Sequence, residues 1–141
     1  MAFNFLIKPS LETKFAIDYD WWVQSRDDLQ VYLLTHLTPE QQSKLAQGSL
    51  QEVFDYVDPQ TGEVFPRDRL SLALAESARH DELFPGHIGL IDSVFRALLI
   101  NSNRPLNARE LADITGRDAA TILKTIGGLR IYRGISPVHS D

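Results

Sequence analysis

The chain has 141 residues, 43% of them apolar and 23% charged, with a net charge of −5 and no cysteine. That balance fits one globular domain, or two small units sharing an interface, and excludes the disordered and fibrous classes. The absence of cysteine excludes a disulfide framework, a thiolate zinc site and a cysteine nucleophile.

Charge is unevenly spread. Residues 1–100 carry eight Lys and Arg against fifteen Asp and Glu, whereas residues 101–141 carry six against four, which makes an acidic body with a weakly basic end. The opening "MAFNFLIKPS" has an apolar run with no basic residue before it and no small-residue cleavage site, so no secretion signal is expected. The apolar stretches fall short of the roughly 20 residues that cross a bilayer. A cytoplasmic protein without membrane association is the expectation.

In chain order, Phe3, Phe5 and Ile7, then Phe15, Ile17 and Tyr19, alternate with other residues on either side of Pro9-Ser10. A period of two predicts short strands or extended arms. The stretch "DYDWWVQSRDDLQVYLLTHL" reads as helical: Trp22, Leu29, Tyr32, Leu33, His36 and Leu37 share a face, with Asp27 and Asp28 near the front, where acids complement the helix dipole. In "LTPEQQSKLAQG", Thr38 is an N-cap, Pro39 the first helical residue, Gln41 the partner in a capping box and Gly48 a stop.

Ser49 and Glu52 offer another capping box, and a small hairpin is expected to pair residues 54–57 with 63–65 across the Asp58-Pro59 and Thr61-Gly62 turn. "RDRLSLALAESARH" reads as a helix. The loop "DELFPGH" is the best boundary between an N-terminal part, residues 1–86, which need not fold independently, and a C-terminal part, residues 87–141.

"IGLIDSVFRALLIN" places Ile91, Val94, Phe95, Leu98 and Leu99 on a buried helical face, and "SNRP" ends it. Asn107 then caps a helix whose Glu110 closes a capping box. Gly116 supplies the tight turn and Asp118 caps a second helix, sealed through Ile122 and Ile126 and ended by Gly127-Gly128.

Ala112 in the first of these helices, Gly116 at the turn, and Thr121-Ile122 and Lys124 on the second resemble the helix-turn-helix of bacterial transcription regulators, particularly the winged-helix branch. The resemblance covers about residues 87–137. It implies three helices with Ala119–Ile126 as the recognition helix, and "LRIYRGISP" as a strand forming a reduced wing. The fold class expected is therefore mainly helical α+β.

The resemblance also implies contact with double-stranded DNA, through Arg117, Thr121 and Lys124 in the major groove and Arg130 and Arg133 on the wing. Ala119, Ala120 and Leu123 leave much of that helix plain, and few phosphate contacts make weak binding for a monomer, so a homodimer or a partner would be required. The function expected is a DNA-binding or transcription-associated accessory protein. The alternative is a protein-protein interaction adaptor in which the winged helix is structural, with Tyr19, Trp21 and Trp22 as the partner surface.

Other clusters point to no chemistry. His80, Asp81, Glu82 and His87 in "RHDELFPGH" match no zinc or hydrolase spacing. His36, on an apolar face, reads as a buried, hydrogen-bonded histidine, and the paired acids as capping groups. No phosphate-binding glycine loop and no nucleophile motif is present. No metal, no cofactor and no enzymatic activity are expected.

Overall fold

Phe15 and Ile17, two residues apart on an extended chain, set the first element. The computed structural model describes residues 8–44, 53–57, 60–68 and 83–138. In order come β1 (Lys14–Ile17), α1 (Tyr19–Gln24), α2 (Leu29–Leu34), α3 (Pro39–Lys44), β2 (Val53–Val57), β3 (Val64–Asp68), α4 (Leu90–Ile100), β4 (Leu106–Asn107), α5 (Ala108–Thr115), α6 (Ala119–Ile126) and β5 (Ile135–Pro137). The architecture is α+β, with six helices and two antiparallel sheets among the described residues. No helix among them is long and apolar enough to cross a membrane.

Strand β1 lies between β4 and β5. Lys14 and Phe15 pair with Asn107 and Leu106 on one side, and Phe15, Ala16 and Ile17 with Pro137, Ser136 and Ile135 on the other. Beyond β4 the ladder is continued by a side chain. Asn103 Oδ1 accepts from the Ile17 N–H (2.7 Å) and its Nδ2 donates to the Ile17 carbonyl (2.9 Å). Ser102 and Asn103 both take φ of 56°, the left-handed turn that brings the amide there and that Asn tolerates well.

The hairpin pairs Val53 with Asp68 through to Val57 with Val64, so the first strand gains Val53 over the expected 54–57, while the second leaves out Glu63 of the expected 63–65 and runs on to Arg67 and Asp68, expected to be helical. The expected strand around Phe3 to Ile7, the Gly48 stop, the Ser49 and Glu52 box, and residues 69–80 of the expected leucine-rich helix lie outside the described residues.

The stretch read as helical between residues 18 and 37 is two helices. Asp18 caps α1, its carboxylate accepting from the Asp20 N–H (3.0 Å), and Asp28 caps α2, accepting from the N–H groups of Gln30 (2.9 Å) and Val31 (3.3 Å). These bonds satisfy donors that a continuous helix would pair with its own carbonyls, so the chain restarts at Leu29. The restart lets Trp22 stack on Tyr32 with ring centroids 5.3 Å apart. In one straight helix, ten residues would separate them by about 15 Å.

Further on, the local signals are realised as read. Thr38 and Gln41 exchange the two bonds of a capping box, as do Asn107 and Glu110. Gly116 ends α5 at φ 77°, and Asp118 caps α6 through the Thr121 N–H. Val94, Phe95, Leu98 and Leu99 of α4 are buried, while Ile91 is only half-buried. One core joins both sides of residue 87: Phe15, Trp22 and Leu33 pack in the same cluster as Phe95, Leu98, Leu111 and Ile122. The expected wing strand is shorter than "LRIYRGISP"; only Ile135–Pro137 is a strand, with Tyr132 bridging to Ile135.

Gly134 and Gly62 both hold left-handed φ, at 77° and 74°, yet their surroundings differ. A Cβ at Gly134 would stand 2.8 Å from the Asp18 carbonyl oxygen and 3.1 Å from Trp22 Nε1, whereas at Gly62 it would meet nothing within 4 Å. Gly134→Ala is expected to lower unfolding stability by about 2 to 3 kcal/mol and Gly62→Ala by about 1 kcal/mol or less, compared by chemical denaturation.

Candidate functional site

Three segments far apart in sequence meet around a cleft of about 560 Å³. Helix α1 contributes Trp21, and the α1–α2 turn adds Asp27. The start of α4 provides residues 89–92, and the loop between α6 and β5 provides residues 130–133. Trp21 is half-buried, its ring set edge-on to that of Trp22 at 5.1 Å. Leu90, Ile91 and Ile131 add apolar wall.

The two arginines of the cleft are held by aromatic faces. Arg133 lies over the ring of Tyr32 at 4.4 Å and also donates to Asp27 Oδ2 at 3.4 Å, while Arg130 lies over the ring of Tyr132 at 5.0 Å. Arg133 is placed from behind as well. Its carbonyl accepts the indole N–H of Trp22 (3.0 Å), and its φ of 55° turns the chain there. Asp92, the other acid of the cleft, accepts the Tyr32 hydroxyl on Oδ1 (2.5 Å). Burial first, and then the bond to Asp92, raise the Tyr32 phenol well above its ordinary value, so it stays a donor.

The residues expected to touch DNA separate into two groups. Arg130 and Arg133 line the cleft with Trp21. Arg117, Thr121 and Lys124 do not. The Arg117 guanidinium donates to the Ile88 carbonyl just before α4, which ties the α5–α6 turn to the start of that helix. Thr121 is exposed, and its hydroxyl donates to Asp118 Oδ2 (2.9 Å). The Asp118 carboxyl is held below its ordinary value, chiefly by the backbone N–H of Thr121. Lys124 is exposed, as is Ala120 beside it on the outer face of α6.

Of the residues expected to form a partner surface, Tyr19 and Trp21 are half-buried, whereas Trp22 is 4% exposed and belongs to the core. Of the cluster His80, Asp81, Glu82 and His87, only His87 is described, and it is exposed. Among the described residues, no group of three or more His, Cys, Asp or Glu could hold a metal ion.

Sequence reasoning passed over Asp92, Tyr132 and Ile131. The run "RIYR" sets two arginines around an apolar-aromatic pair, a spacing that in an extended chain does not put both on one side; their meeting in the cleft comes from the tertiary fold. No local signal marks Asp92, whose role depends on Tyr32, sixty residues earlier.

Behind the cleft sits His36, 5% exposed and stacked on Phe95. Its Nδ1 accepts from Arg96 Nε (3.1 Å), and the same guanidinium donates to the Leu83 carbonyl (2.6 Å). The ring therefore carries its proton on Nε2, which has no hydrogen-bond partner among the described residues. Burial, and then the positive charge of Arg96, hold His36 down to about 4 from an ordinary 6.5.

No protein-family model matches the chain, nor does any curated protein or solved structure.

His36 gives the protein a defined acid response. Between pH 6.5 and 4 the unfolded chain binds a proton that the folded one refuses, so stability is intact above 6.5 and falls as the pH drops through that window. The loss approaches about 3 kcal/mol below pH 4. Urea unfolding of His36→Gln across that window should show a flatter profile than the parent chain.

Proposed function

We propose that the protein is a non-enzymatic adaptor that holds a protein partner in the cleft lined by Trp21, Arg130 and Arg133. In this reading α4, β4, α5, α6 and β5 form a winged-helix-like unit that is mainly structural, with β1 completing its sheet. The observation that carries it is the convergence on one cleft of Trp21, from the aromatic cluster, and the two arginines of the loop after α6. Trp and Arg are the side chains most often found at the energetic centres of protein interfaces. Leu129, 98% exposed, and Ile131, 41% exposed, add apolar surface on the same loop.

A second reading keeps DNA, with the protein as an accessory to transcription. It is favoured by the open outer face of α6, where Ala120, Thr121 and Lys124 are exposed. It is weakened by Arg117, whose guanidinium is engaged with Ile88, and by the placement of Arg130 and Arg133 in the cleft. Lys124 alone would neutralise few phosphates, and affinity scales with that number.

Peptides selected on the full chain from a random-sequence phage library separate the two. On the adaptor reading they lose about thirtyfold in affinity on Trp21→Ala, the loss of one interface centre, and are indifferent to Lys124→Glu. They are also excluded by Gly89→Leu, at a cleft-lining position where an added Cβ meets nothing within 4 Å. Selected peptides indifferent to Trp21→Ala, together with duplex DNA binding that falls steeply with salt and is lost on Lys124→Glu, would overturn it in favour of DNA.

A further inference from the structure

We infer that the partner segment of this cleft is an acidic, leucine-rich peptide whose carboxylates are taken by Arg130 and Arg133, and that Asp27 occupies Arg133 in its absence. The inference rests on the reading of the cleft as a protein-binding site and adds the chemistry of the occupant.

It starts from how the two arginines are held. A guanidinium lying on an aromatic ring is fixed by its face, and its N–H donors point outward around its edge. Tyr132 therefore orients Arg130 and Tyr32 orients Arg133 without using their donors. Among the described residues no acceptor meets Arg130. Arg133 gives one N–H to Asp27 at 3.4 Å, and both side chains are open to solvent, 39% and 59% exposed. A long, solvated ion pair of this kind is weak and exchanges readily for another carboxylate. A planar fork held in place is a good receptor for a carboxylate, which it can bind through two parallel N–H bonds.

The cleft carries two acids against its two arginines, so an occupant is recognised by where its carboxylates meet the arginine forks and not by net charge. Asp92 accepts from Tyr32, and Asp27 is the carboxylate already on Arg133. Leu90, Ile91 and Ile131 beside Trp21 call for aliphatic side chains between the carboxylates. Asp27 is then an internal competitor, and its removal should strengthen binding.

The test uses the full chain and four fluorescein-labelled probes read by anisotropy: a peptide of alternating Glu and Leu, its Gln-for-Glu isostere, its Lys-for-Glu counterpart and an oligothymidylate. The Glu peptide is expected to bind about tenfold tighter than the Gln isostere, as two charge-assisted contacts allow. Arg130→Gln, an exposed position whose loss leaves the core intact, should reduce that ratio to about threefold. Asp27→Asn should tighten the Glu peptide about threefold and leave the Gln isostere unchanged. If Glu and Gln peptides bind alike and both are lost on Trp21→Ala, the cleft stands as a protein site and the acidic assignment falls. Tightest binding by the Lys peptide or the oligothymidylate overturns the assignment too, as does failure of all four probes. The library selection decides the cleft independently of any of these results.

Discussion

The indole of Trp22 fixes the parts of this molecule to one another. It is buried, and a buried donor must find an acceptor; the one it finds is the main-chain carbonyl of Arg133, more than a hundred residues later. The same ring stacks on Tyr32 and meets Phe95 edge-on at 6.1 Å, so α1, α2, α4 and the loop before β5 are held by a single side chain. Gly134 is the complementary constraint, since only a residue without Cβ lets the chain pass so close to the indole. From this grip on the backbone follows the position of the Arg133 guanidinium over Tyr32, and with it one wall of the cleft.

What was legible in the sequence is what a few neighbouring residues decide. The capping boxes of Thr38 with Gln41 and Asn107 with Glu110, the left-handed Gly116 and the Asp118 cap each involve partners within four residues, and side-chain type alone specifies them. The break at Asp28 was legible in principle, because an Asp before Leu29 is an N-cap signal. It was masked by the helical spacing of Trp22 with Leu29 and Tyr32, which the broken chain satisfies by a different route. The position of β1 between β4 and β5 was not legible. Two- and three-residue strands carry almost no periodicity, and their pairing is set by contacts across about ninety residues and more.

The candidate site divides in the same way. Trp21, Arg130 and Arg133 were singled out by residue type, but for two different surfaces, and tertiary contact puts them on one. Arg117 has the right chemistry for a base contact, yet the carbonyl of Ile88 claims it, a partner that residue spacing could not reveal. Trp21 and Trp22 are adjacent and chemically identical, yet one opens on the cleft and the other fills the core. That difference comes from where α1 sits, not from either residue.

The sheet has a consequence for how this chain keeps company with itself. Its central strand is paired on both flanks, its outer strands span only two and three residues, and Pro137 in one of them has no N–H to offer. Where β4 stops, the Asn103 amide takes over the hydrogen bonds of Ile17. Short, interrupted margins give a neighbouring chain little to extend, which is how natural sheets avoid growing into fibrils. Crowding this protein therefore does not invite strand-by-strand polymerisation through that sheet.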